Sequence, residues 1–290
     1  MSATRCAMAI VGAGPAGLFA AAEARRQGVR SLVLIDEAGQ AGGAIRAAHE
    51  VRNAPFLPDR IAGELVVGHL EQLRRRLEVP VTRDTVRELR EEADGVHLSG
   101  EAGEWVAGAV VVATGTRPRH PGIAGLPAGF ESPVAAQACD ALGRGAVQRA
   151  AVIGAGDVAF DQARYLRARG VDTILLCRSD AARAPDWLVQ QARCEGVNVW
   201  FGAVAASAVC EAQRTVLRIV QRGGARELVV DRVVAAVGRA PRLPHGAAGQ
   251  GGRSWRVAGD ASGGRARHLV AAMGAGCTAA FELLVAESGA

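Results

Sequence analysis

With 290 residues, 49% of them apolar, the chain is long enough to build two domains, each with a core of its own. A net charge of +5 with one tyrosine and six phenylalanines leaves no aromatic-and-basic platform for nucleic acid, and no apolar run approaches the roughly 20 residues of a membrane helix. Every basic side chain is arginine, which excludes Schiff-base catalysis and a P-loop lysine; none of the six cysteines forms a CxxC pair, which excludes a zinc ribbon and a local redox dithiol.

The apolar run Cys6–Val11 is expected to be a buried strand. It is short and enters a glycine motif directly, so it is read as structure and not as a leader, and the chain is expected to be cytoplasmic. The motif is Gly12-Ala-Gly14-Pro15-Ala16-Gly17. A helix is expected over 15–27, stopped by Gly28, then a second buried strand over 31–37 that ends in Asp36 and Glu37. In a strand–turn–helix of this kind Gly12 allows the tight turn, Gly14 lets a pyrophosphate approach the backbone, and Gly17 lets helix and strand pack closely. The helix N-terminus offers free N–H groups and the positive end of its dipole. Asp36 or Glu37 would accept from a ribose diol, and the spacing does not choose between them.

The plan recurs. Ala150–Ile153 leads into Gly154-Ala-Gly156-Asp157-Val158-Ala159, with a helix expected to about Arg169 and a strand over 171–177. Alanine in place of the third glycine is an accepted variant. This second strand ends in Cys177-Arg178 with no acid, and Arg183 follows. Two guanidinium forks without a carboxylate favour a 2′-phosphate over a free diol, hence NADPH, with NADH as the alternative; the plainer reading is that both arginines are solvated.

Further strands are expected over 81–89, 95–98 and 105–113 after the first unit, and over 215–220 and 227–236 after the second. They end in the matching turns Ala113-Thr114-Gly115 and Ala236-Val237-Gly238, each followed by arginine and proline. Residues 255–260 read as one more strand and 266–285 as a helix, a tail too small to fold alone. The expected architecture is α/β, with two Rossmann-like, three-layer ββα dinucleotide-binding domains. The second domain, 117–243, is inserted in the first, 1–116 and 244–290.

Taken in order, the two glycine motifs, Gly42-Gly43, Asn53 with Pro55, Ala113-Thr114-Gly115, Arg178 with Arg183, Gly238-Arg239 and Gly259-Asp260 before Arg267-His268 resemble the thioredoxin reductase-like flavoproteins over nearly the whole chain. The resemblance implies FAD on the first motif, with Gly43, Val86, Thr114 and Gly115 among its contacts and Asp260 on the ribityl chain. It puts Asn53, Arg267 and His268 near the isoalloxazine, and NADPH on the second motif with Gly238. It also implies a homodimer and domain rotation between half-reactions.

The chain departs from that family where its disulfide reductases carry CxxC followed by Asp. Here the residues are Ala136-Gln137-Ala138-Cys139-Asp140. A dithiol needs one sulfur to attack and one to resolve, so Cys139 is a relic, a single redox thiol with an external resolving partner, or an accident of register. Asp140 is then a proton donor or a helix N-cap. Alanine follows Gly42-Gly43 where glutamine is usual, serine follows Arg178 where a second arginine is usual, and His268 replaces glutamine, as a hydrogen-bonding substitute or a proton mover.

The function expected is an FAD-dependent oxidoreductase that takes hydride from NAD(P)H and serves a small-molecule or protein acceptor, without a dithiol. The alternatives are an electron-transfer subunit of a multi-component amine or opine oxidase and a disulfide reductase working through Cys139 alone.

Overall fold

The computed structural model describes residues 3–211, 214–264 and 266–288. The chain forms two compact units: Met1–Arg46, Val51–Arg117 and Ala240–Ala290 make the first, and Ala47–Glu50 with Pro118–Arg239 the second.

The first unit begins with β1 (Thr4–Val11), α1 (Pro15–Arg26), β2 (Leu32–Asp36), α2 (Gly63–Arg76), β3 (Val81–Arg83), β4 (Val86–Glu92), β5 (Gly95–Gly100) and β6 (Glu104–Val112). The chain leaves along β7 (Thr116–Pro118). The second unit contains β8 (Val134–Ala135), α3 (Ala138–Leu142), β9 (Arg149–Ile153), α4 (Asp157–Arg167), β10 (Asp172–Leu176), α5 (Asp186–Cys194), β11 (Asn198–Trp200), β12 (Val204–Cys210), β13 (Thr215–Gln221), β14 (Gly224–Val230) and β15 (Arg232–Ala235). The chain returns along β16 (Arg239–Pro241) to β17 (Trp255–Val257) and α6 (Leu269–Ser288).

In the first unit the sheet runs β3-β2-β1-β6-β5-β4, with β17 also on β6. β1 is parallel to β2 and β6, as expected of strands that are nearly continuous apolar runs buried on both faces. β6 changes partners along its length: its first half pairs antiparallel with β5 and its last three residues parallel with β17. Ala9, Val11, Ile35, Val110 and Val112 share a core with Val86, Leu89, Val96 and Leu98, so the β4–β5 hairpin covers one face. The helical layer is tight. A β-carbon on Gly17 would stand 1.8 Å from the Gly12 carbonyl oxygen, and one on Gly276 of α6 would stand 2.0 Å from the Ala16 carbonyl oxygen.

The second unit is three-layered. A parallel sheet β11-β10-β9-β15-β8 lies between the helices and the antiparallel β12-β13-β14. Val152, Leu175 and Val234 pack with Phe160, Ala163 and Leu166 of α4, while Ala151, Ile174, Leu176 and Val233 pack with Leu217, Ile219, Leu228 and Val230. The segment Ala47–Glu50 is bound to this unit by α4. Asp161 accepts the N–H groups of His49 (2.8 Å) and Glu50 (3.1 Å), the Gln162 amide donates to the Ala47 carbonyl (3.0 Å), and Arg164, its side chain 2% exposed, pairs with Glu50 and Glu195.

Several expected boundaries shift, each for a local reason. The strand expected over 81–89 breaks at Asp84, whose buried carboxylate accepts the N–H groups of Thr85, Glu101 and Ala102. The strand expected over 227–236 is two strands in different sheets. They divide at Asp231, whose carboxylate takes the N–H groups of Gln148 and Arg149. The strand expected over 255–260 ends at Val257, because Gly259 turns left-handed (φ 65°) into a 3₁₀ turn, Gly259–Ser262. The last helix starts at Leu269, three residues later than expected.

Candidate functional site

Two glycine loops carry the candidate chemistry, one in each unit. In the first unit Gly12 has φ 109°, and a β-carbon there would lie 2.3 Å from the Ala113 carbonyl oxygen. Glycine is therefore required twice over, by conformation and by the strand end carrying Thr114. Gly14 precedes α1 with extended backbone (φ −74°, ψ −175°), Pro15 opens the helix, and no side chain caps it. Ala16 and Gly17 lie buried in its first turn. The Gly42 N–H donates to the Ala13 carbonyl (2.9 Å), which brings Gly43 against Gly14.

The structure separates the two acids that the spacing left open. Asp36 turns back onto the glycine loop, its carboxylate accepting the N–H groups of Ala13 and Ala38, both at 2.9 Å. Glu37 points elsewhere and pairs with Arg242. Thr114 Oγ1 donates to the Arg242 carbonyl, and the Arg242 N–H donates to the Gly115 carbonyl (3.1 Å), so both residues of this turn also tie down the returning chain. The Val86 side chain is buried in the core, which leaves its backbone as the part able to meet a ligand. Gly259 lies against Ala16, where a β-carbon would meet the Ala16 β-carbon at 2.8 Å, and Asp260 follows it in the 3₁₀ turn. Arg267 is exposed. Asn53 and His268, 215 positions apart, are joined by a 3.1 Å hydrogen bond between Asn53 Nδ2 and His268 Nδ1.

In the second unit Gly154 (φ 158°) lies where a β-carbon would be 2.5 Å from the Ala236 carbonyl oxygen, and Gly156 precedes α4, again without a capping side chain. A cavity of about 170 Å³ opens at this helix end, lined by Gly156, Asp157, Val158, Arg183, Gly238 and Arg239 among others. The Arg183 N–H donates to the Ala155 carbonyl (2.7 Å), which fixes the arginine at the loop. Arg178 is exposed just beyond β10 and is not among the lining residues.

The lining includes Ala136 and Gln137 but neither Cys139 nor Asp140. The Cys139 thiol is half-buried and donates weakly to Asp140 (3.8 Å); burial, and then the charge of Asp140, pushes it up, away from the thiolate that attack requires. Asp140 is not an N-cap: Gln137 holds that position and Asp140 lies inside α3. Arg242 and Gln137 carry no motif of their own in the sequence, unlike Arg239, which belongs to the Gly238 turn. What marks them is their position beside the glycine turns, which only the fold converts into proximity.

A family model, pyridine nucleotide-disulphide oxidoreductase, matches residues 7–253. Thioredoxin reductase of Escherichia coli O157:H7 is 29% identical over 63% of this chain, and the match spans only 56% of that relative's length. Glucosaminate ammonia-lyase of Pseudomonas fluorescens is 27% identical over 94% of this chain and 93% of its own. Among solved structures, thioredoxin reductase of Lactococcus lactis superposes with a TM-score of 0.88, covering 98% of this chain and all of that one, at 23% identity, a likeness of fold.

Proposed function

The chain belongs to the pyridine nucleotide-disulphide oxidoreductase family, and from that premise we propose that it is an FAD-dependent NAD(P)H oxidoreductase whose flavin, and not a dithiol, serves the acceptor. One observation carries the assignment of both nucleotide sites. Gly14 and Gly156 stand at the openings of α1 and α4 with φ of −74° and −101°, angles any residue adopts. A β-carbon on Gly14 would meet nothing nearer than 3.9 Å, and one on Gly156 nothing within 4 Å. Neither packing nor conformation asks for glycine at these two positions. Bare backbone before an uncapped helix suits a pyrophosphate, which takes the free N–H groups and would be displaced by a side chain.

FAD bound at the first loop supplies the redox chemistry, accepting hydride from the nicotinamide and passing two electrons on. The protein's part is to hold and orient. Asp36, already set against the loop, is the ribose acceptor; Gly43, Thr114, Gly115, Gly259 and Asp260 line the approach, with Arg267 and His268 beyond. In the second unit Gly156, Asp157, Val158 and Gly238 frame the nucleotide, and Arg183 selects NADPH by its phosphate, with Arg178 exposed beyond β10 as a second guanidinium. Ala136 stands on the cavity where a disulfide reductase would carry sulfur, and the raised Cys139 thiol is a poor nucleophile. Both support an acceptor reduced directly by the flavin, a small molecule or an electron-carrying protein.

We read the chain as a cytoplasmic homodimer. No described helix is long and apolar enough to cross a membrane, and α6 leaves Val270, Phe281 and Val285 exposed, an apolar stripe suited to a second copy.

The test is Gly14→Ala. The variant is expected to fold and melt as the parent does, and to lose FAD affinity at least tenfold by flavin fluorescence quenching. An unchanged affinity removes the pyrophosphate from that loop.

A further inference from the structure

The contact between Asn53 and His268 defines a protonation state as well as a position. The Asn53 amide nitrogen is a donor only, so the His268 Nδ1 it meets at 3.1 Å is the acceptor, and a ring accepting at Nδ1 carries its proton on Nε2. The His268 carbonyl accepts the Ala272 N–H (3.0 Å) and so opens α6. Both side chains are exposed, so burial does not force the contact. His268 is adjacent to the first turn of α6, while Asn53 stands two residues after Val51, whose backbone pairs with Ile61.

We propose that Asn53 is a positioning residue that locks His268 in the neutral Nε2–H tautomer, so that the site presents one hydrogen-bond donor to an acceptor atom of the bound flavin. The proposal rests on the flavin reading for the identity of the ligand, and on the Asn53–His268 geometry alone for the tautomer. A glutamine at position 268 offers a donor and an acceptor on one rotatable group; the locked imidazole offers a donor in one direction only. Asn53 thereby removes an ambiguity that an unrestrained histidine would carry, since either ring nitrogen can hold the proton.

The tautomer is read by long-range ¹H–¹⁵N correlation spectra of uniformly ¹⁵N-labelled chain without cofactor at pH 8, with His268 assigned among the six histidines by the signal lost in His268→Gln. The native chain is expected to show a protonated Nε2 and a bare Nδ1. Asn53→Asp, whose carboxylate can only accept, is expected to move the proton to Nδ1, and Asn53→Ala to give a mixture. A native chain already protonated at Nδ1, or a tautomer indifferent to all Asn53 variants, overturns the lock. Far-UV circular dichroism identifies a variant that fails to fold, and Asn53→Leu, which neither donates nor accepts, then takes its place and is expected to give the mixture. Adding FAD to the native chain is expected to shift the Nε2 proton. Flavin that binds without shifting it overturns the donor role and leaves the lock intact, whereas a chain that takes up no flavin contradicts the cofactor assignment while the tautomer spectra still decide the lock.

Discussion

The carboxylate of Asp36 accepts the backbone N–H of Ala13 at 2.9 Å, which joins the end of the second strand to the middle of the first glycine loop. Its neighbour Glu37 is turned away and spent on Arg242. Asp36→Ala is therefore expected to weaken FAD binding at least tenfold, about 1.4 kcal/mol, and Glu37→Ala to leave the affinity within about twofold. Fluorescence titration of both variants checks this; equal losses would return the two acids to equivalence.

Gly276 tests how closely α6 approaches α1. A β-carbon there would lie 2.0 Å from the Ala16 carbonyl oxygen, against backbone that cannot yield without moving the helix that opens at the first loop. Gly276→Ala is expected to cost about 1–3 kcal/mol in urea unfolding. Gly274→Ala, where a β-carbon meets nothing within 4 Å, is expected to be neutral or to stabilise by up to about 1 kcal/mol through helix propensity. The same loss in both would mean that helix packing does not distinguish the positions.

Arg164 is the most consequential buried charge. Although burial opposes its ionisation, hydrogen bonds to Glu195 and Glu50 keep it firmly protonated. Arg164→Ala removes the guanidinium that Glu50 and Glu195 share and is expected to destabilise the protein by about 3–5 kcal/mol. Glu50→Gln, which preserves one pair and a hydrogen-bonding acceptor, is expected to cost less. Denaturant midpoints of the two variants rank them.

Acid should weaken the first unit at a definable place. The Glu71 carboxyl is lowered to about 2, chiefly by its hydrogen bond to Arg74, with Arg75 adding to it. A carboxyl whose folded value lies below its unfolded one contributes stability above the unfolded value, near 4.5, and loses it as pH falls through the folded one. The expected window is thus pH 4.5 down to 2. The pair is partly solvated, so the contribution is at most about 1 kcal/mol. Glu71→Gln should remove that part of the acid slope in urea midpoints measured across the window; an identical slope contradicts the assignment.

Arg183 should decide between the nicotinamide cofactors. Its backbone is fixed to the second loop, and the residue lines the cavity at α4. Arg183→Ala is expected to raise the Kd for NADPH about tenfold or more, leaving that for NADH within about twofold. Equal effects on both would assign the arginine to a part the two nucleotides share.

How far these sites were legible in the sequence depends on the range of the interactions that build them. Gly12, Gly17 and Gly154 are required by contacts that every strand–turn–helix of this type makes, so motif spacing alone identified them. The repeat of that spacing, with matching glycine turns at Thr114 and Gly238, likewise placed the inserted plan. The different partners of Asp36 and Glu37 were not legible, because that of Glu37 is Arg242, some 200 positions away. Nor was the attachment of Ala47–Glu50 to α4, made by bonds across more than 100 residues and sited in a stretch whose neighbours belong to the other unit. The strand breaks at Asp84 and Asp231 were hidden for a related reason. Each acid interrupts an apolar alternation only because backbone N–H groups from a distant turn or strand are there to receive it.

Anaerobic titration of the purified chain, reconstituted with FAD, tests the central claim most directly. NADPH is expected to bleach the flavin absorbance near 450 nm with one equivalent per bound FAD, NADH only at higher concentration, and Cys139→Ser as completely as the native chain. A bound flavin that neither nucleotide reduces would contradict the account.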